Sequence, residues 1–225
     1  MKISPRLIPF TSIAVIHLIA LFLNNTDLAF YSKPLLMPSL LIYFLLTTKA
    51  SPLRLWVGVA LVMSFFGDTF LMFAHFKSMY FLLGLVSFLM AHVAYIFINY
   101  KATEPGSSGI NFHWSDLIFV IYGIGFFYVL SSSLGEMFYP TMVYTAVICL
   151  MAISARQRMG NANDLSIKLV LAGACLFVVS DSILAYNKFV ANIPYERILV
   201  MTTYLSAQWL IIEGYRKYIE SADQD

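Results

Sequence analysis

KLVLAGACLFVVSDSILAYNKF, residues 168–189, is long enough to cross a bilayer, and it carries Asp181 inside the apolar run. At 1.5 Å per residue, about 20 apolar residues span a hydrocarbon core of ~30 Å. A carboxylate at that depth is costly, so it must face the protein interior and find partners there. Residues 53–76 repeat the arrangement, with Asp68 inside an apolar stretch. These two intramembrane aspartates organise everything else that the chain reveals.

The composition sets the same class. Of 225 residues, 60% are hydrophobic and 12% charged, and the apolar residues come in long runs separated by short polar breaks. That pattern argues against a soluble domain and for an all-α, polytopic membrane bundle. The formal charge of +2 comes without a basic block, so nothing indicates a nucleic-acid partner. Cys149 and Cys175 both sit within apolar runs and read as small packing residues. Lys2 and Arg6 precede the first apolar run as they would in a signal peptide. No small-residue cleavage site follows, so the run reads as a retained first helix.

Hydropathy predicts eight spans in a single membrane-embedded domain, at residues 7–23, 34–48, 53–73, 79–100, 114–130, 137–155, 166–186 and 198–215. The breaks hold turn and cap residues: NNTD at 24–27, KASP at 49–52, TEPGSSG at 103–109, SSSLGE at 131–136 and RMGNAND at 158–164. Alternate loops share the cations unequally. One side has Lys2, Arg6, Lys49, Arg54, Lys101, Arg156, Arg158, Lys168, Arg216 and Lys217; the other has Lys33, Lys77, Lys188 and Arg197. Positive residues concentrate on the cytoplasmic side, which predicts both termini there.

An internal repeat accompanies the aspartates. GDTFL at 67–71 followed by Phe76 compares with SDSIL at 180–184 followed by Phe189, and each Asp-bearing span follows one read as starting at a proline, Pro34 or Pro140. The third and seventh of eight spans run in the same direction, so this would be a parallel four-plus-four duplication. Each Asp lies eight residues before its Phe, roughly 12 Å along a helix, which would put both carboxyls at similar depth.

Two buried carboxyls can share one proton and so act as acid and base together. The alternative is that each is tied to neighbouring Ser, Thr or Lys groups and only fixes packing. Other polar residues lie within the spans. His92, Tyr95 and Asn99 share a face of the fourth, with Ser87 nearby; Tyr204 and Gln208 sit four apart on the eighth, with Thr203 and Ser206; Tyr139, Thr141 and Tyr144 lie on the sixth. Singly these read as interhelical hydrogen bonds; together with the aspartates they would line a polar pocket. Lys33, read at the start of the second span, would pair with a lipid phosphate or snorkel to the interface. His17, His75, His92 and His113 show no HxxxH or HxxH pairing, so no metal site is expected. GxSxG and a Gly-rich phosphate loop are also absent.

KPLLMPSL at 33–40, GDTFLMF at 67–73, GLVSFLMAHVAY at 84–95, GACLFVVSDSILAYNKF at 173–189 and TYLSAQWLI at 203–211 resemble, in order and spacing, the motifs of the YhhN-like lysoplasmalogenase family. The resemblance implies an eight-helix integral membrane enzyme. It would hydrolyse the vinyl-ether bond of lysoplasmalogens to a fatty aldehyde and a glycerophosphoethanolamine or glycerophosphocholine, with no cofactor. A lysophospholipid is then the substrate, and the expected setting is a multi-pass protein of a bacterial inner membrane with membrane lipid around it. On that reading Asp68 and Asp181 are catalytic. Lys33 meets the phosphate, and His92, Tyr95, Tyr144, Tyr204 and Gln208 surround the substrate. A proton-coupled transporter of small solutes is the competing expectation, because paired midplane carboxylates and parallel repeats serve transport equally well.

Overall fold

The computed structural model describes residues 4–102, 113–159 and 164–222. The break at 103–109 therefore lies outside the described residues, as does most of the one at 158–164. Eight α-helices and no strands occur among the described residues: α1 (Ile8–Phe22), α2 (Thr26–Thr47), α3 (Pro52–Met72), α4 (Ser78–Lys101), α5 (Asp116–Ser131), α6 (Phe138–Gln157), α7 (Asp164–Phe189) and α8 (Glu196–Ala222). Six are long and apolar enough to cross a membrane, namely α1 with its leading 3-10 turn, α2, α3, α4, α6 with its leading 3-10 turn, and α7. Of the other two, α5 is a shorter apolar helix of 16 residues and α8 has 27. The chain divides into two compact units, Met1–Ala94 and Tyr95–Asp225.

The second span begins eight residues earlier than expected. Asn25 caps α2, its side chain accepting from the Leu28 amide, and the helix runs through both Pro34 and Pro38. Proline was read as a helix start because its ring deletes an internal hydrogen bond. Membrane helices nevertheless tolerate interior prolines. Lys33 is thus the eighth residue of α2 rather than its first, and only Pro140 lies in a first helical turn.

The two repeat motifs end differently on their helices. Asp181 does lie eight residues before Phe189, the last residue of α7. In contrast, α3 ends at Met72, four residues past Asp68, and Phe76 belongs to the following turn. Two matched Phe residues therefore do not measure two equal depths.

Small residues bring the helices together where no hydrophobic drive exists between them. A Cβ on Gly173 of α7 would come within 2.8 Å of the Ala207 carbonyl oxygen, and one on Gly214 of α8 within 2.9 Å of the Ser166 carbonyl oxygen. Gly67 faces the Phe88 ring, where a Cβ would be 2.6 Å away. Gly123 of α5 leaves room for the Cys149 sulfur, 2.8 Å from where its Cβ would stand. Cys149 and Cys175 are both free thiols, as packing residues would be. Apolar side chains such as Ile16, Ile42, Leu46, Ile121, Ile124 and Leu150 point outward, which suits hydrocarbon rather than water.

Two cations counted as loop charges are instead held inside the second unit. Arg156 makes a bidentate pair with Asp116, both contacts at 2.6 Å, and Asp116 is buried. Arg158 is fully buried just past α6. Its Nε donates to the Ala102 carbonyl at 3.0 Å and its Nη2 to Ser166 Oγ at 2.9 Å. Its guanidinium lies over the rings of Tyr215 and Tyr218. Burial pulls this guanidinium's pKa down, and the two tyrosines act against that pull. Arg158 ties the end of α6 to α7 and α8.

Overpacking a close contact costs about 1–3 kcal/mol. Gly214→Val should therefore lower the thermal unfolding temperature in detergent. Gly125→Ala, where a Cβ meets nothing within 4 Å, should leave it unchanged or slightly raised. Equal effects of the two changes would refute tight α7–α8 packing as the source of stability.

Candidate functional site

In the first unit, Asp68 is 3% exposed on the inner face of α3, beside Gly67 and one turn after Ser64. Its carboxylate Oδ1 stands 3.7 Å from Lys33 Nζ, which α2 supplies. The lysine is half-buried, with its ammonium turned toward that carboxylate. Lys33 therefore has Asp68 as a protein partner, the kind of lysine contact that the packing alternative for the aspartates describes. The adjacent Ser32 bonds to His17 of α1, with 2.8 Å between Oγ and Nδ1. His92, on α4, is fully buried.

In the second unit, Asp181 is half-buried on α7 and accepts a short hydrogen bond from the Tyr144 hydroxyl of α6. The next residue, Ser182, accepts from Tyr122 Oη of α5 at 2.7 Å and donates back to the Val178 carbonyl. Two phenols from two helices thus converge on consecutive residues of α7. Phe177, one turn before Asp181, packs edge-on against Tyr204 of α8, with ring centroids 5.4 Å apart.

Three of the expected substrate-facing residues bond to each other. Tyr95 Oη donates to Gln208 Oε1 at 2.7 Å, and Gln208 Nε2 reaches Tyr204 Oη at 3.4 Å. Tyr95 and Gln208 have no exposed surface, and Tyr204 is 3% exposed. Next to them Asn99 donates to Ser154 Oγ at 3.0 Å and accepts from Tyr215 Oη at 2.9 Å. This is a buried polar seam joining α4, α6 and α8, and it satisfies groups that hydrocarbon cannot. Tyr139, by contrast, is 72% exposed.

Sequence reasoning did not single out Tyr122, Ser182, Ser32 or a role for His17. A hydroxyl residue directly after each aspartate was the one available signal. Thr69 and Ser182 both donate to the carbonyl four residues earlier, Phe65 and Val178. For Tyr122 and His17 there was none, since a lone polar residue in an apolar run does not reveal its partner. Among the described residues, no three His, Cys, Asp or Glu side chains group as metal ligands would.

The chemistry available is acid–base. Of the two aspartates inside apolar runs, Asp68 meets an ammonium and Asp181 a phenol.

Comparison with known proteins gives this arrangement a family. The YhhN family model matches residues 28–215. Over 169 residues the chain is 32% identical to the Bos taurus protein named lysoplasmalogenase TMEM86A and 31% identical to its Homo sapiens counterpart. Each match covers 74% of this chain and 66% of the relative. Identity to the human lysoplasmalogenase TMEM86B is 28% over 131 residues, 57% of this chain and 50% of that protein. The chain thus spans just under two thirds of the length of the first two. No solved structure matches. With the motifs around both aspartates inside the matched region, the chain belongs to the YhhN family.

Proposed function

We propose that the protein is a membrane hydrolase that cleaves the vinyl-ether bond of lysoplasmalogens, releasing a fatty aldehyde and a glycerophospho-base. The single observation that carries this reading is the pair of carboxyls at Asp68 and Asp181, each on an apolar helix and each held by its own donor. The names of the TMEM86A and TMEM86B relatives support it. The proposal includes eight membrane crossings with α5 and α8 among them, cytoplasmic termini, a parallel four-plus-four repeat and a bacterial inner membrane as the setting.

The chemistry follows from the substrate. Protonation of the β carbon of a vinyl ether leaves an oxocarbenium ion at the carbon next to oxygen. Water adds there and loses a proton, and the resulting hemiacetal collapses by breaking its bond to the glycerol oxygen. One water is consumed, and one aldehyde and one alcohol are formed. Glycoside hydrolysis passes through a similar cation and uses a carboxyl pair for it. In this proposal one of Asp68 and Asp181 delivers the proton, while the other stabilises the cation and takes the proton from water. Tyr144 orients Asp181. Lys33 has three ammonium donors, enough to meet a substrate phosphate as well as Asp68. Tyr95, Tyr204, Gln208 and His92 support the polar wall.

Purified protein should release aldehyde from lysoplasmenylethanolamine. General acid–base groups are worth about 10²–10⁴-fold, so Asp68→Asn and Asp181→Asn should each lower kcat on that scale. Tyr144→Phe should lose less. Full activity in either Asn variant would remove that aspartate from the mechanism. No aldehyde from any vinyl-ether lipid, together with solute flux in proteoliposomes, would favour transport instead.

The lysine makes a separate prediction. Lys33→Gln should raise KM about tenfold for the phosphate-bearing substrate, equivalent to about 1.4 kcal/mol. A vinyl ether of plain glycerol should show no such change. A matching rise with both substrates would mean that Lys33 serves only Asp68.

A further inference from the structure

The imidazole of His17 is 2% exposed on α1, and its partnership with Ser32 can be read in detail. Ser32 has a single hydroxyl proton. Its Oγ stands 2.6 Å from the Leu28 carbonyl oxygen, the nearer of two carbonyls one turn back. A carbonyl only accepts, so the hydroxyl proton is committed there. The contact between Ser32 Oγ and His17 Nδ1 is then made by the ring's N–H. In the neutral ring, donation through Nδ1 leaves Nε2 as a lone-pair acceptor. That atom is buried and has no hydrogen-bond partner among the described residues.

A buried acceptor with nothing to accept carries a desolvation penalty that no bond offsets. The ring is also not remote from the chemistry. Ser32, which orients it, directly precedes Lys33, and Lys33 lies within electrostatic reach of the ring and 3.7 Å from Asp68. The polar side chains of the buried seam are bonded to one another, whereas this imidazole offers an acceptor next to the Lys33–Asp68 pair. His17 also precedes the region, 28–215, over which the family match runs.

We propose that His17 Nε2 accepts a hydrogen bond from the free glycerol hydroxyl of a single-chain ether lipid, and so selects lipids bearing that hydroxyl over those in which it is absent or blocked. This deepens the proposed hydrolase reading and rests on it. The ligand chemistry is an alcohol O–H one carbon away from the ether-bearing carbon, within reach of a phosphate-binding ammonium. A site built to bond a hydroxyl discriminates strongly against an analogue lacking it, because the protein's polar group is then left unpaired. An acylated or methylated oxygen has no proton to donate and is bulkier as well.

The test compares two vinyl-ether substrates, one with the free hydroxyl and one with hydrogen in its place, using wild type, His17→Phe and His17→Gln. Wild type should favour the hydroxyl substrate in kcat/KM by at least about tenfold, the scale of one hydrogen bond. His17→Phe should bring the two substrates to near parity by losing activity on the hydroxyl substrate alone. His17→Gln, whose amide oxygen can take the acceptor's place, should keep part of the preference.

An equal loss on both substrates would overturn the proposal, because the ring would then serve the fold or a water molecule. Unchanged preference in His17→Phe would overturn it too. Should His17→Phe fail to fold, His17→Gln and the wild-type preference still decide, since a wild type indifferent to the hydroxyl refutes the idea. Failure of the hydrolase reading shows separately, as absence of aldehyde from both substrates in the wild type.

Discussion

A carboxyl group carried into hydrocarbon cannot rely on water, so the helix that bears it must be packed against a helix that brings a donor. Each unit meets this requirement in the same order along the chain. The helix just before the Asp-bearing one supplies the donor, Lys33 of α2 for Asp68 and Tyr144 of α6 for Asp181. In both cases the residue after the aspartate turns its hydroxyl back onto its own helix. The donors themselves differ in kind. An ammonium opposes the carboxylate charge, whereas a phenol offers a directed hydrogen bond and no charge. Two positions with similar sequence surroundings therefore meet chemically different donors.

The remaining polar groups explain how such helices hold their places. Lipid gives no hydrophobic reason for α7 and α8 to associate, and the work falls to close contact and buried hydrogen bonds. Gly173 and Gly214 let the two backbones approach. Gln208 links α8 to Tyr95, and Tyr215 links it to Asn99. Ser166 Oγ accepts from Arg158 and donates to the Gly214 carbonyl, so one hydroxyl serves three chain segments. A site on α7 is only as well positioned as this seam.

How much of this was legible depended on whether a residue's environment or its partner was being asked for. Hydropathy found all eight helices because long apolar runs have few other uses. It missed the start of α2, since Pro34 and Pro38 stop helices in water but not in a packed membrane helix. It ended α8 at Tyr215, although the helix continues to Ala222 because Arg216 and Lys217 pair with Glu213 and Glu220 one turn away. Asp68 and Asp181 stood out because charge in an apolar run is rare. Their pairing with particular donors did not, because Lys33 was assigned to a phosphate or the interface and Tyr144 to the substrate. Arg158 was misjudged for the same reason: near the end of a span, an arginine bound for the interior and one bound for water look alike.

The difference between the two donors bears on what kind of reaction the carboxyls can run. A transport cycle binds and releases a proton repeatedly at one site, and either donor would serve. Hydrolysis of a vinyl ether makes opposite demands at its two ends, since carbon must be protonated first and a cation then met by a nucleophile that loses its proton. Two like carboxyls can divide that labour by sharing one proton, and unlike donors bias which of them keeps it. A carboxyl in contact with an ammonium and a carboxyl in contact with a phenol hydroxyl respond differently when positive charge develops on a substrate. The unlike donors beside Asp68 and Asp181 thus accord with the proposed hydrolysis, whose two ends make unlike demands.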